Sequence, residues 1–229
     1  MLVLPALADH MQWESASAAS NVWQGFYTSP YLAWDRSMNP QPDGQLITLY
    51  CLDYNHEVAP PYVWDASINP LSLAGVSLYQ YGSAFPTAQA AYLQYVSAAW
   101  IFTAMRGLES GQPAGWRAIE TEYQAAAWKL FVDGAHAADL NARIHASGAA
   151  FETAVDLFYN QALAAAAAWV PDGTWYVVTS DAAWVDANQP GRPVQEFLTY
   201  QPNPEPGTWL LMAAVFAATG IRTWRKRRA

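Results

Sequence analysis

The chain has 229 residues, of which 53% are hydrophobic, 14% aromatic and 13% charged. That mixture supplies a packed core for one or two domains and excludes a disordered chain. Up to Pro206 there are 6 basic against 19 acidic residues, a balance of −13 that repels phosphate backbones and argues against nucleic acid as a partner, while five further basic residues crowd into the last eight positions.

From the N-terminus, Leu2 to Leu7 is apolar, and Ala6-Leu7-Ala8 has the small-x-small form that precedes a signal-peptide cut, though no positive segment leads it. Residues 1–14 are read as a truncated signal-peptide remnant and lead-in. "NVWQGFYTSPYLAW" and "QLITLYCLDY" are rich in aromatic and β-branched residues and read as strands, with Asn39 to Gly44 as the turn between them. "HEVAPPYVWDASINPLS" reads as a proline-interrupted loop.

The period then changes. Tyr92, Tyr95, Val96, Ala99, Trp100 and Thr103 recur at helical steps, predicting a helix over Thr87 to Met105 with Thr87 as its cap. A second helix is predicted over Gly115 to Gly134, its stripe running through Ile119, Tyr123, Ala126, Ala127 and Leu130. A third, alanine-rich one spans Gly148 to Trp169. "TWYVVTS" and "VQEFLTY" return to strands. Strands, helices and strands again predict one α+β domain over residues 15–200, followed by a proline-rich linker at 201–206 and a hydrophobic helix with a basic tail at 207–229.

That tail has three parts in order: Pro204-Glu205-Pro206, an apolar run from Gly207 to Ile221 bracketed by Trp209 and Trp224, and the cluster Arg222, Arg225, Lys226, Arg227 and Arg228. The prolines prevent a continuous helix from the body, and the cations would hold the far end in the cytoplasm. This arrangement resembles the PEP-CTERM sorting signal of exported proteins of Gram-negative bacteria. The resemblance implies an exosortase as a partner, transient anchoring in the membrane by the C-terminal helix, processing near the Pro-Glu-Pro, and a final place in the cell envelope or outside it.

A single cysteine, Cys51, excludes an internal disulfide and a cysteine zinc site, and His10, His56, His136 and His145 lack metal-ligand spacing, so no metal or cofactor is expected. A lone cysteine in an exported chain is buried and inert, paired between chains, catalytic, or bonded to something other than sulfur. Gln124 stands one step from the stripe of the second predicted helix, followed by alanines, with Trp128 four residues on. A thiolate brought to its amide would expel ammonia and leave an internal thioester, given held proximity and dry apolar walls. Tyr50, Tyr123 and Trp128 suit such walls.

An aromatic-Cys-aliphatic strand followed by Gln-x-Ala-x-Trp on a helix is similar to the thioester domain of Gram-positive surface adhesins. Tyr50-Cys51-Leu52-Asp53 matches the cysteine side; Gln124, Ala126 and Trp128 match the other, while Tyr123 stands where the family often has Thr. The resemblance covers roughly Val22 to Thr199 and implies Cys51 and Gln124 as the cross-linked pair, with Tyr50, Tyr123, Ala126 and Trp128 around it. It also implies adhesion to an amine-bearing surface without enzymatic turnover. Other readings carry less. Cys51 and His56 are too close along the chain for a usual nucleophile and base. Asp53, Glu57, Asp65, Glu120 and Glu122 read as solvated acids, and Asp43-Gly44 and Asp172-Gly173 as turns. The many aromatic rings leave a non-covalent, exopolysaccharide-associated matrix protein with a buried free Cys51 as the alternative.

Overall fold

The computed structural model describes residues 9–16, 22–35, 45–55, 63–169, 173–188 and 194–202. Six strands close into an antiparallel barrel in the order β1 (Asp9–Ala16), β4 (Tyr31–Asp35), β5 (Gln45–Cys51), β8 (Phe197–Pro202), β7 (Gly173–Ser180) and β6 (Val63–Pro70). Closure pairs every strand on both sides and leaves no exposed edge. Two short strands, β2 (Val22–Trp23) and β3 (Phe26–Tyr27), form a separate hairpin. The helices are α1 (Ala88–Gly111), α2 (Trp116–Phe131), α3 (Ala137–Ala146), α4 (Ala149–Ala165) and α5 (Ala182–Asn188), with a 3-10 turn at Leu73–Leu78.

The alternation of strand side chains builds the barrel interior. In β4, Tyr31 and Ala33 are buried while Leu32 and Trp34 are partly exposed. Tyr31 meets Trp13 at 4.7 Å and Phe197 at 6.0 Å between ring centroids, and Trp64 meets Phe197 at 6.2 Å. The other face of β5, β7 and β8 receives α1: Phe102 stacks on Tyr50 at 5.1 Å and reaches Trp175 at 6.5 Å. Full burial of an aromatic such as Phe102 contributes about 1.5–3 kcal/mol.

The α+β class and the strand–helix–strand order hold at this coarse level, and several boundaries differ. β1 begins at Asp9 with Met11 and Trp13 buried, so the lead-in of residues 1–14 ends inside a barrel strand. The proline-interrupted loop contains β6, because beyond Pro61 the chain alternates inward Trp64 and Ala66 with outward neighbours. "NVWQGFYTSPYLAW" is not one strand but a hairpin plus β4. α1 starts as predicted, with Thr87 Oγ1 accepting from Ala90 N at 3.1 Å, but runs six residues past Met105 to Gly111. Its stop is Gln112 in the left-handed region (φ 41°) before Pro113. α2 ends at Phe131 rather than Gly134 because the Asp133 carboxylate accepts from Ala135 N and His136 N, both at 2.9 Å, turning the chain into α3. The linker motif Pro204-Glu205-Pro206, the hydrophobic segment and the basic cluster lie outside the described residues. Among the described residues, no helix is long and apolar enough to cross a membrane.

Candidate functional site

α2 crosses the end of β5, and there it brings Gln124 onto Cys51. The buried face of α2 carries Glu120, Gln124 and Trp128 at steps of four beside Ala126, Ala127 and Leu130 of the predicted stripe, so it is broader than predicted, takes in Gln124 and leaves Ile119 and Tyr123 half-buried at its edge. Both Cys51 and Gln124 are fully buried. Gln124 Nε2 donates to the carbonyl of Cys51 at 2.8 Å, and Gln124 Oε1 accepts from Ser29 N at 3.0 Å. The amide orientation follows from these partners: exchanging oxygen and nitrogen would set donor against donor and acceptor against acceptor. Ser29 also binds the other member, its Oγ accepting from Cys51 N at 2.7 Å. One residue thus holds both.

The sulfur lies at the strand end, where the chain turns away. The thiol donates to Asp53 O at 3.3 Å, and Sγ accepts from Asp53 N at 3.4 Å and Trp128 Nε1 at 3.5 Å. Burial pushes the Cys51 thiol up to about 12, against the opposing pull of the Trp128 N–H. Asp53 is itself pinned: its carboxylate accepts from Asn55 N at 2.8 Å and Gln80 Nε2 at 3.2 Å, and its carbonyl accepts from Gln195 Nε2 at 3.0 Å.

Behind this loop sits Glu196, fully buried, accepting from Thr179 Oγ1 at 2.6 Å, Gln80 N at 2.7 Å and Tyr95 OH at 2.5 Å. Burial pushes its carboxyl up to about 7, the three donors opposing the rise. Its backbone carbonyl receives Leu52 N at 3.0 Å, next to Cys51.

Of the predicted wall residues, Trp128 touches the sulfur, and Ala126 is fully buried in the core of α2. Tyr50 points to the other face of β5, onto Phe102 and a cleft of about 790 Å³ with Thr48, Arg106, Glu109 and Tyr200. Tyr123 stacks on Phe158 of α4 at 3.9 Å. The rings gathered about Trp128 are instead Tyr54 at 5.4 Å, Trp23 at 6.2 Å and Phe26 at 6.2 Å. Ser29 falls inside the segment whose composition predicts a strand, but it sits in the bend between β3 and β4, where the Ser-Pro pair is the turn signal. His56 and Glu57 lie outside the described residues. Glu120 is no solvated acid: it is buried against Glu109, and Glu122 is partly buried.

Ser29 N and the Cys51 carbonyl hold the Gln124 amide at its two ends. If sulfur adds to the Gln124 carbonyl carbon, negative charge develops on Oε1, where the Ser29 N–H already points. The nitrogen that would leave faces the Cys51 carbonyl. No family model matches the chain, and neither a curated protein nor a solved structure matches it.

Proposed function

We propose that this is an exported surface or matrix protein that carries an internal Cys51–Gln124 thioester and uses it once, to bond covalently to an amine on a target surface. The observation that carries the reading is the buried Gln124 amide held at both ends, by Ser29 N and by Cys51 O, beside the only cysteine of the chain. In the forming step the Cys51 sulfur bonds to the Gln124 carbonyl carbon, the carbon–nitrogen bond breaks, and the thiol proton leaves with the nitrogen as ammonia. In the using step an amine nitrogen takes the acyl carbon, and the proton it loses returns to the Cys51 sulfur. Because the thiol is protonated at neutral pH, proton transfer accompanies the attack, and Ser29 supplies the donor for the developing oxyanion. Trp128 and its ring neighbours exclude the water that would hydrolyse the product.

The tail supports the matching address. Pro204-Glu205-Pro206, the apolar run and Arg222, Arg225, Lys226, Arg227 and Arg228 suit recognition by an exosortase and transient membrane anchoring. Intact mass tests the bond: the wild type should weigh one ammonia less than its sequence, Cys51→Ala and Gln124→Ala should not, and methylamine should add to the wild type alone. The second reading, a non-covalent exopolysaccharide-associated envelope protein, is favoured by one observation: burial keeps Cys51 a neutral thiol. It requires the full sequence mass and no methylamine adduct.

A further inference from the structure

We propose that the β2–β3 hairpin is the lid through which an amine reaches the Cys51–Gln124 pair, latched shut against α3 by Gln24, Arg143 and Ser147. This rests on the thioester reading for its purpose, though not for its geometry. The pair is fully buried, so an acceptor requires some element to move. The groups in contact with it are Trp128 of α2 and the loop residues Ser29 and Asp53, each tied by hydrogen bonds to Cys51 or Gln124. The hairpin differs. Its two-residue strands pair with each other and, among the described residues, with no barrel strand, an arrangement that is marginal without outside support. Its turn, Gln24-Gly25, has positive φ at both residues (49° and 92°), the form that suits a tight two-residue hairpin.

The hairpin has two unlike faces. Trp23 and Phe26, opposite each other in the register, face inward; Trp23 stacks on Phe151 at 5.4 Å and both rings meet Trp128. Val22 and Tyr27, the other pair, are 57% and 51% exposed. The rim is held by polar contacts. Gln24 Nε2 donates to Arg143 O and to Ser147 Oγ, both at 2.9 Å, Trp23 Nε1 donates to Ser147 Oγ at 3.0 Å, and Arg143 Nη1 donates to Gln24 O at 3.2 Å. The Arg143 guanidinium also covers the Phe26 ring at 4.9 Å and is oriented by Asp139 through a 2.8 Å bond. Arg143 and Gln24 are at the surface, where such bonds exchange readily with water. Two residues after Tyr27, Ser29 is anchored to both Cys51 and Gln124, and the Tyr27 carbonyl accepts from Tyr31 OH, so the pair keeps its geometry while the hairpin lifts.

The test uses the full chain with Arg143→Ala and, as a milder cut, Gln24→Ala. Methylamine uptake is followed by intact mass. In parallel, each latch variant is combined with Gln124→Ala, which leaves a free thiol, and alkylation of Cys51 by iodoacetamide is followed at urea concentrations below global unfolding. Arg143→Ala should take up methylamine about tenfold faster, the factor for about one lost hydrogen bond to a charged group, and Gln24→Ala, which loses neutral bonds to Arg143 O and Ser147 Oγ, should do so by a smaller factor. Alkylation should accelerate equally, with a urea slope well below that of global unfolding, as expected for a small local opening. Unchanged rates in both latch variants, or alkylation that follows the full unfolding slope, would overturn the lid. Absence of ammonia loss in the wild type would remove the thioester instead, and the alkylation arm would still decide whether the hairpin opens.

Discussion

Glu196 offers a quantitative check on the polar network that backs the cysteine loop. Its carboxyl titrates near 7 when folded and near 4.5 in a free chain. Between those values the folded state holds a proton that the unfolded state has released, so stability falls as pH rises through that window. At about 1.4 kcal/mol per unit, the group costs about 3 kcal/mol of stability between pH 4.5 and pH 8. Glu196→Gln removes the titration. Its amide oxygen still accepts from Gln80 N and Thr179 Oγ1, and Tyr95 OH, which also accepts from Tyr81 N at 3.1 Å, can turn to receive the new NH₂. Urea unfolding at pH 5 and pH 8 should therefore show the variant near the wild type at the lower pH and more stable, by up to about 3 kcal/mol, at the higher one. An equal stability difference at both pH values would refute the assignment of a raised carboxyl to this position, and with it the view that Glu196 is held neutral rather than as a buried anion.

Three further outcomes follow from the same geometry. Glu120 is pushed up to about 9 by burial and then by the Glu109 carboxylate beside it, so the wild type should lose stability as pH climbs from the carboxylate range toward 9. Glu120→Gln should flatten that loss in thermal melts at pH 6 and pH 9.5. Ser29→Ala strips the acceptor from the buried Cys51 N–H, which should cost about 1–3 kcal/mol, seen as a lower urea midpoint with unchanged slope. Trp128→Phe removes the N–H that partly offsets burial at the sulfur, so the thiol should titrate still higher and ammonia loss after refolding should slow, followed by mass over time.

Local chemistry wrote several features plainly into the chain. Thr87 after Pro86, and aromatic residues at three- and four-residue steps, define α1 without reference to any neighbour. Cys51 and Gln124 were legible as a candidate pair because one is unique and the other is a polar group followed by alanines, one step from the apolar stripe of its helix. The strands after α4 were legible from β-branched and aromatic runs.

Tertiary structure decided the rest, for reasons that no local window contains. β6 is a strand because β1 and β7 stand on either side of it, and α3 hides only Leu140 and Ile144, too narrow a stripe to read. The buried face of α2 is broader than its predicted stripe because α1 and α4 both pack on this helix; Tyr123 went to Phe158, and Glu120, Gln124 and Trp128 went inward with Ala126, Ala127 and Leu130. Ser29 became the link between the Cys51 backbone and the Gln124 amide only when chain segments 22 and 95 residues away arrived beside it. Sequence alone determined which groups have the right chemistry and which segments prefer helix, since both are properties of side chains and their near neighbours. Which groups meet, which rings cover them and where that cover is weakest were settled by closure of the barrel and by the packing of helices upon it.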